Sequence, residues 1–207
     1  MKKYLLLIPL ILLISCSPSL TVAWQEPDFK GDHFEKLVVV AIHRNLEVRD
    51  AFETSAVRLL KNKGIRAYHG VDFFPPTLDP SLHSAESLRK IVEENEIDGI
   101  ITMSLIEHGQ SQQYVQGAVY NAPPYYDPYG GYVYNRYNTV YTPGYYVDHE
   151  TYLIEAVLHD LNLGNEEEHQ LVWRGQSTLV DPSTVNSASH EFNVAMVKHL
   201  VKYEVVK

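Results

Sequence analysis

KLVVVAIHRNLEVRDAFETSAVRLLKNKGIRAYH, residues 36–69, is the stretch that decides the fold. Its opening run, KLVVVAIH (36–43), is rich in β-branched side chains and bounded by polar sequence, the pattern of a strand buried on both faces and interior to a sheet. Asn45 then stands where a helix N-cap is expected, and Val48, Phe52, Ala56, Leu59 and Leu60 recur at spacings that place them on one helical face. Gly64 can close that helix, and IRAYH (65–69) returns to a strand pattern. Strand, helix and strand in this order imply parallel pairing through a right-handed crossover.

The unit continues toward the C-terminus. After a proline-containing loop from Asp72 to Pro80, Ser84 caps an expected helix over 85–95 with Leu88, Ile91 and Val92 facing inward. Asp98-Gly99 then turns the chain into a third buried strand, IITMSLIEH (100–108). Beyond it the pattern changes, because YVQGAVY (114–120), TYLIEAVLHDL (151–161) and HQLVWRGQSTL (169–179) are strand-like with no helix between them. They are expected to pair antiparallel, with a turn at Asn162–Asn165 and the solvated acids Glu166–Glu168 at its tip. A final helix over 183–203 carries Val185, Ala188, Phe192, Ala195, Met196, His199, Leu200 and Tyr203 on one stripe. The expected class is α/β: β-α-β-α-β, then antiparallel strands and a C-terminal helix, in a single mixed sheet with helices packed on it.

Toward the N-terminus, Lys2 and Lys3 precede an apolar run from Tyr4 to Ser15, the pattern of an export signal and too short to span a bilayer stably. Cys16 follows at the position of a bacterial lipobox. The expected organisation is a lipoprotein signal peptide over 1–15, a lipidated tether over 16–35 and an α/β domain over 36–207. Two or more acyl chains on Cys16 would hold the protein on a membrane. Ser17 replaces the aspartate of inner-membrane retention, which favours the periplasmic face of the outer membrane.

Removing residues 1–15 takes away two lysines and no acid, moving the formal net charge from −9 to −11. So acidic a surface, without a basic patch, does not suit nucleic acid. With the one cysteine given to lipid, no disulfide or cysteine metal site remains. No cofactor motif is present.

Tyr120–Tyr146 is the strongest local anomaly, with 10 tyrosines in 27 residues among proline, glycine and asparagine. Such a stretch has too few aliphatics to build a core and resembles adaptable binding loops in composition. It is expected as an insertion over 120–147, with Tyr125, Tyr126, Tyr129, Tyr132, Tyr134, Tyr137, Tyr141, Tyr145 and Tyr146 as the partner-binding residues. The plain alternative is a mobile hairpin with no partner.

Histidine spacing offers no metal site. His190-Glu191 begins like a zinc-helix motif, but position 194 is valine and His199 falls on the opposite side of the helix. His149 and His159 share a strand face yet lie roughly 33 Å apart along it. Ser104, Ser177 and Thr178 have no sequence-local base, and Glu107 with Glu155 could form a carboxylate pair only across strands. No catalytic residue is assigned.

WQEPDFKGDHFEKLVVVAI (24–42), RDAFETSAVRLLKNKGIRA (49–67), DGIITMSL (98–105) and ETYLIEAVLHDL…LVWRGQSTLVDPST (150–184) together resemble a group of uncharacterised bacterial lipoproteins with one small α/β domain. More remotely, the element order is similar to the α/β domains of the curli-secretion and penicillin-binding-protein-activator lipoproteins. The resemblance implies action by protein contacts in the envelope and assigns no site residue. The expected function is a lipid-anchored, non-enzymatic envelope protein that contacts a periplasmic or outer-membrane protein, or a glycan, through the tyrosine-rich loop. The alternatives are a self-associating structural lipoprotein and an envelope hydrolase.

Overall fold

The computed structural model describes residues 18–75, 84–121, 139–163 and 171–207. In chain order the elements are β1 (Val22–Gln25), β2 (Leu37–Ile42), α1 (Leu46–Lys61), β3 (Ala67–His69), α2 (Ala85–Glu94), β4 (Gly99–Val115), β5 (Val119–Asn121), β6 (Thr139–Tyr141), β7 (Tyr145–Asp160), β8 (Leu171–Val180) and α3 (Val185–Lys202). Six strands form one mixed sheet in the order β1-β8-β7-β4-β2-β3, and β5 and β6 form a separate two-stranded one. The α/β class is therefore as expected.

The crossover unit forms for the reasons its sequence suggests. β2 pairs in parallel with both β3 and β4, so it is interior to the sheet. The Asn45 side chain accepts from the Glu47 N–H at 2.8 Å and starts α1. Gly64, at φ 84°, ends it in the left-handed region, where the N–H of Ile65 reaches back to the Leu60 carbonyl. Ser84 caps α2, and Thr184 with Ser187 forms a capping box at α3.

Burial alternates along the sheet and fixes its inner face. In register, Val39, Ile101, Leu158 and Trp173 form one row across four strands, and Ala41, Met103, Ala156 and Gly175 form the next. Phe52, Ala56 and Leu60 of α1 and Phe192, Met196 and Leu200 of α3 close over them, with the Phe52 and Phe192 rings 6.3 Å apart. Gly175 is required there, since a Cβ would come within 2.6 Å of the Trp173 ring. The two crossovers run in opposite directions across the sheet, and right-handedness puts α2 on the other face.

Four readings need correction. First, the segment read as a tether over 16–35 joins the sheet: β1 pairs antiparallel with β8, Phe34 is buried, and Leu20 and Phe29 pack on the core. A short edge strand is held by main-chain bonds and needs no apolar period. Second, α2 buries no residue, and Leu88 is exposed. Third, Tyr203 stands exposed beyond the end of α3. Fourth, 100–108 and the start of 114–120 are one continuous strand, β4, which pairs with β7 along its whole length. One extra residue near Ile106, between Leu105 and Glu107, makes a β-bulge in that ladder. The expected turn at 162–165 begins with a 3-10 turn at Leu161–Leu163, and Glu166–Glu168 lie outside the described residues.

Candidate functional site

The chain leaves β2 toward β3 on one side and returns to β4 on the other, so the strand order switches between β2 and β4. A crevice outside the carboxyl ends of strands is the usual consequence of such a switch. Here it is an open cavity of ≈ 260 Å³, floored by Ala41, Met103 and Ile154 and walled by Phe52 of α1 and Val185 and Ala188 of α3. His43, Ser104, Tyr152 and Thr184 reach its rim. Much of that polar rim is already committed to the protein's own structure. The Tyr152 hydroxyl donates to Glu150 Oε2 at 2.5 Å, Thr184 Oγ1 accepts from the Ser187 N–H at 3.0 Å, and His43 Nδ1 accepts from the Asn45 N–H at 3.0 Å. Hydrogen bonding to the Glu150 carboxylate, with burial, raises the Tyr152 phenol above its ordinary pKa.

From this end of the sheet, among the described residues, β4 and β7 continue without a third strand. Leu105–Val115 of β4 passes beyond β2, whose pairing stops at Ser104, and Tyr145–Glu150 of β7 passes beyond β8, whose pairing stops at Thr151. After the exposed Leu105 and Ile106 at its root, residues 107–113 of β4 put polar side chains on both faces of this two-stranded arm. Its cavity-side lane stacks His108 on Tyr152 at 4.7 Å and bonds Gln112 to Asp148. At its base, Asp181 accepts from the Glu150 N–H at 2.7 Å and pairs with His149 Nδ1 at 2.5 Å. The histidine bond holds the Asp181 carboxyl below its ordinary range.

The arm ends in tyrosine. Tyr114 and Tyr146 are register partners with ring centroids 5.1 Å apart, and Val115 pairs with Tyr145. Tyr141 lies in β6, opposite Val119 of β5. Tyr114, Tyr141, Tyr145 and Tyr146 are 56%, 68%, 56% and 68% exposed. Gly144 permits the close approach, since a Cβ there would collide with the Tyr114 hydroxyl. Of the residues expected from sequence, Tyr141, Tyr145 and Tyr146 are thus brought to one region; Tyr125, Tyr126, Tyr129, Tyr132, Tyr134, Tyr137 and Cys16 lie outside the described residues. Tyr114 belongs to this group although it lies outside the tyrosine-rich run. Its signal was the Tyr114–Tyr120 pair flanking a short glycine-containing turn just before the tyrosine-rich run.

The other polar candidates are structural or dispersed. Glu155 accepts from Gln176 at 2.7 Å and faces Arg174 at 3.6 Å, while Glu107 lies opposite Leu153. Ser177 donates to the Ser19 carbonyl at 3.4 Å. The Trp173 indole N–H donates to His199 Nδ1 at 3.2 Å, and burial first, then the Lys202 charge, lowers that imidazole's pKa. Burial, with Arg174, does the same to His159. Among the described residues no three His, Cys, Asp or Glu side chains converge as for a metal. Nothing in the sequence marks Glu53, which is 1% exposed on the inner face of α1. Its carboxylate takes Arg49 Nε at 2.8 Å and the N–H groups of Ala41 and Val71, tying α1 to β2 past the end of β3.

No protein-family model matches the chain, and no curated protein matches it in sequence. Among solved structures it is similar to a PelC variant, solved as a dodecamer, from Paraburkholderia phytofirmans, with a TM-score of 0.41 and 11% identity over 86% of this chain and 94% of that one. It is likewise similar to lipoprotein GNA1162 from Neisseria meningitidis, with a TM-score of 0.41 and 13% identity over 81% and 97%. Likenesses this distant bear on neither activity nor partner.

Proposed function

We propose that the protein is a lipid-anchored, non-enzymatic component of the cell envelope, held by Cys16 at the periplasmic face of the outer membrane, that engages an envelope protein or glycan through the tyrosine end of its arm. The observation that carries this reading is the group of exposed rings, Tyr114, Tyr141, Tyr145 and Tyr146, at the end of a ribbon whose backbone is already paired. Tyrosine on a pre-ordered strand offers an apolar ring and a hydroxyl at small entropic cost on binding. Rings kept for the core would be covered. These are not.

The test is crosslinking in intact cells with the full chain carrying Tyr145→Ala and Tyr146→Ala together. Captured species should fall at least several-fold while the protein stays folded and membrane-bound. Capture unchanged in identity and yield would move the contact elsewhere. A second reading, self-association, draws on the two edges of the arm, which among the described residues join no further strand beyond Ser104 of β4 and, past the bonds between Glu150 and Asp181, beyond Thr151 of β7. Sedimentation of the purified protein separates the two, because self-association predicts a concentration-dependent oligomer and partner binding does not.

A further inference from the structure

The cavity between α1 and α3 is apolar in floor and wall, and two of its rim hydroxyls, on Tyr152 and Thr184, already serve Glu150 and Ser187. An occupant would therefore be selected by hydrocarbon contact and little else. An apolar cavity of about 150 Å³ holds the six carbons of benzene, so by proportion ≈ 260 Å³ takes roughly ten carbons. That is part of one chain, not several.

The course of the first described residues says which chain. The described residues begin at Pro18, and the Ser19 carbonyl accepts from Ser177 Oγ on β8. Ser177 is the register partner of Ile154, which floors the cavity, and strands are spaced by about 4.8 Å. Thr21 stays on the same strand: its N–H donates to the Gln176 carbonyl, and its hydroxyl accepts from the Thr178 N–H. β8 ends at Val180, and Pro182 and Thr184 line the cavity just beyond. Cys16 precedes Pro18 by two residues in the sequence, a span of at most about 7 Å of extended chain.

We infer that the cavity is an acyl-chain site, and that its occupant is one acyl chain of the protein's own N-terminal lipid. This rests on the lipid-anchor reading above. One chain folded back against Met103, Ile154 and Ala188 would leave the others in the bilayer and hold this end of the sheet, with the base of the arm, against the membrane surface.

The experiment feeds cells a fatty acid carrying a terminal diazirine, irradiates the membranes, isolates the full-length protein and maps cross-links by mass spectrometry. The expected result is acyl label on Cys16 and an intramolecular cross-link to the peptide holding Met103 or the one holding Ile154. Ala188→Phe, which fills the space, should abolish that cross-link while leaving the label in place; if that variant fails to fold, the wild-type map decides alone. Label on Cys16 with cross-links only to bilayer lipid or to other surfaces overturns the cavity as the site and leaves the anchor standing. Absence of acyl label from Cys16 overturns the anchor itself, and with it this inference.

Discussion

Between Gly99 and Met103 in β4, and between Ile154 and Asp160 in β7, side chains alternate buried and half-buried against α1 and α3; beyond the bulge the same two strands run on with the cavity-side and opposite faces both open. The backbone pairing is the same in both halves, so the ladder does not distinguish core from arm. What differs is cover. A two-stranded ribbon is marginal by itself, and this one is held because its strands are rooted in a six-stranded sheet. Stability is thus concentrated at one end of the strands, and side chains at the other are left available for contact.

The largest loss of stability is expected at Phe192. This ring is wholly buried against Phe52, so Phe192→Ala should lower unfolding free energy by about 3 to 5 kcal/mol in chemical denaturation. A small loss there would mean that α3 does not seal the sheet. Glu53→Gln should come next, at about 3 kcal/mol, because Arg49 stays beside a neutral amide and two main-chain donors lose their carboxylate. Its effect should be read with Arg49→Met in a double-mutant cycle, in which non-additivity identifies the pair as one unit.

Stability should also depend on pH through two half-buried histidines of the core. His159 and His199 titrate below their ordinary range in the folded state, chiefly through burial. As pH falls through about 6.5 the unfolded chain takes up their protons first, so their contribution is complete above that value and is lost below it until the folded imidazoles protonate. The denaturation midpoint should drop between about pH 7.5 and 5.5, and His199→Gln should shrink that drop. The smallest effect belongs to the arm: Tyr145→Ala and Tyr146→Ala should each change stability by less than about 0.5 kcal/mol, against the large loss at Phe192. A loss of several kcal/mol at either tyrosine would make the arm part of the core.

The crossover unit was legible because each of its signals has a local cause: a cap at Asn45, a left-handed glycine at position 64, and apolar side chains at helical spacing. The arm was not, because EHGQSQQ (107–113) buries neither face and so leaves no period of two to read; its strand conformation comes from pairing with residues over 30 positions away. β1 escaped notice for the same reason. The tyrosines at 141, 145 and 146 were visible as composition, whereas the cavity was invisible, being assembled from the end of β2, the middles of β4 and β7, and the first turns of α1 and α3, with no spacing in common. The inward face read for α2 at Leu88 was not realised, because an amphipathic pattern records what could be covered and no residue of α2 is buried.

The bulge near Ile106 bears on how such a protein can change. Register partners on either side of it run consecutively along β7, from Ile154 to Leu153, so the extra residue belongs to β4 alone. Deleting it would keep every pair beyond it, including Tyr114 with Tyr146, on the same faces as before. The bend and added twist that a bulge imparts would go. A one-codon deletion at position 106 would therefore preserve what the arm carries and alter only its aim, which lets evolution re-point the same surface toward a differently placed neighbour without rewriting any of the residues that touch it.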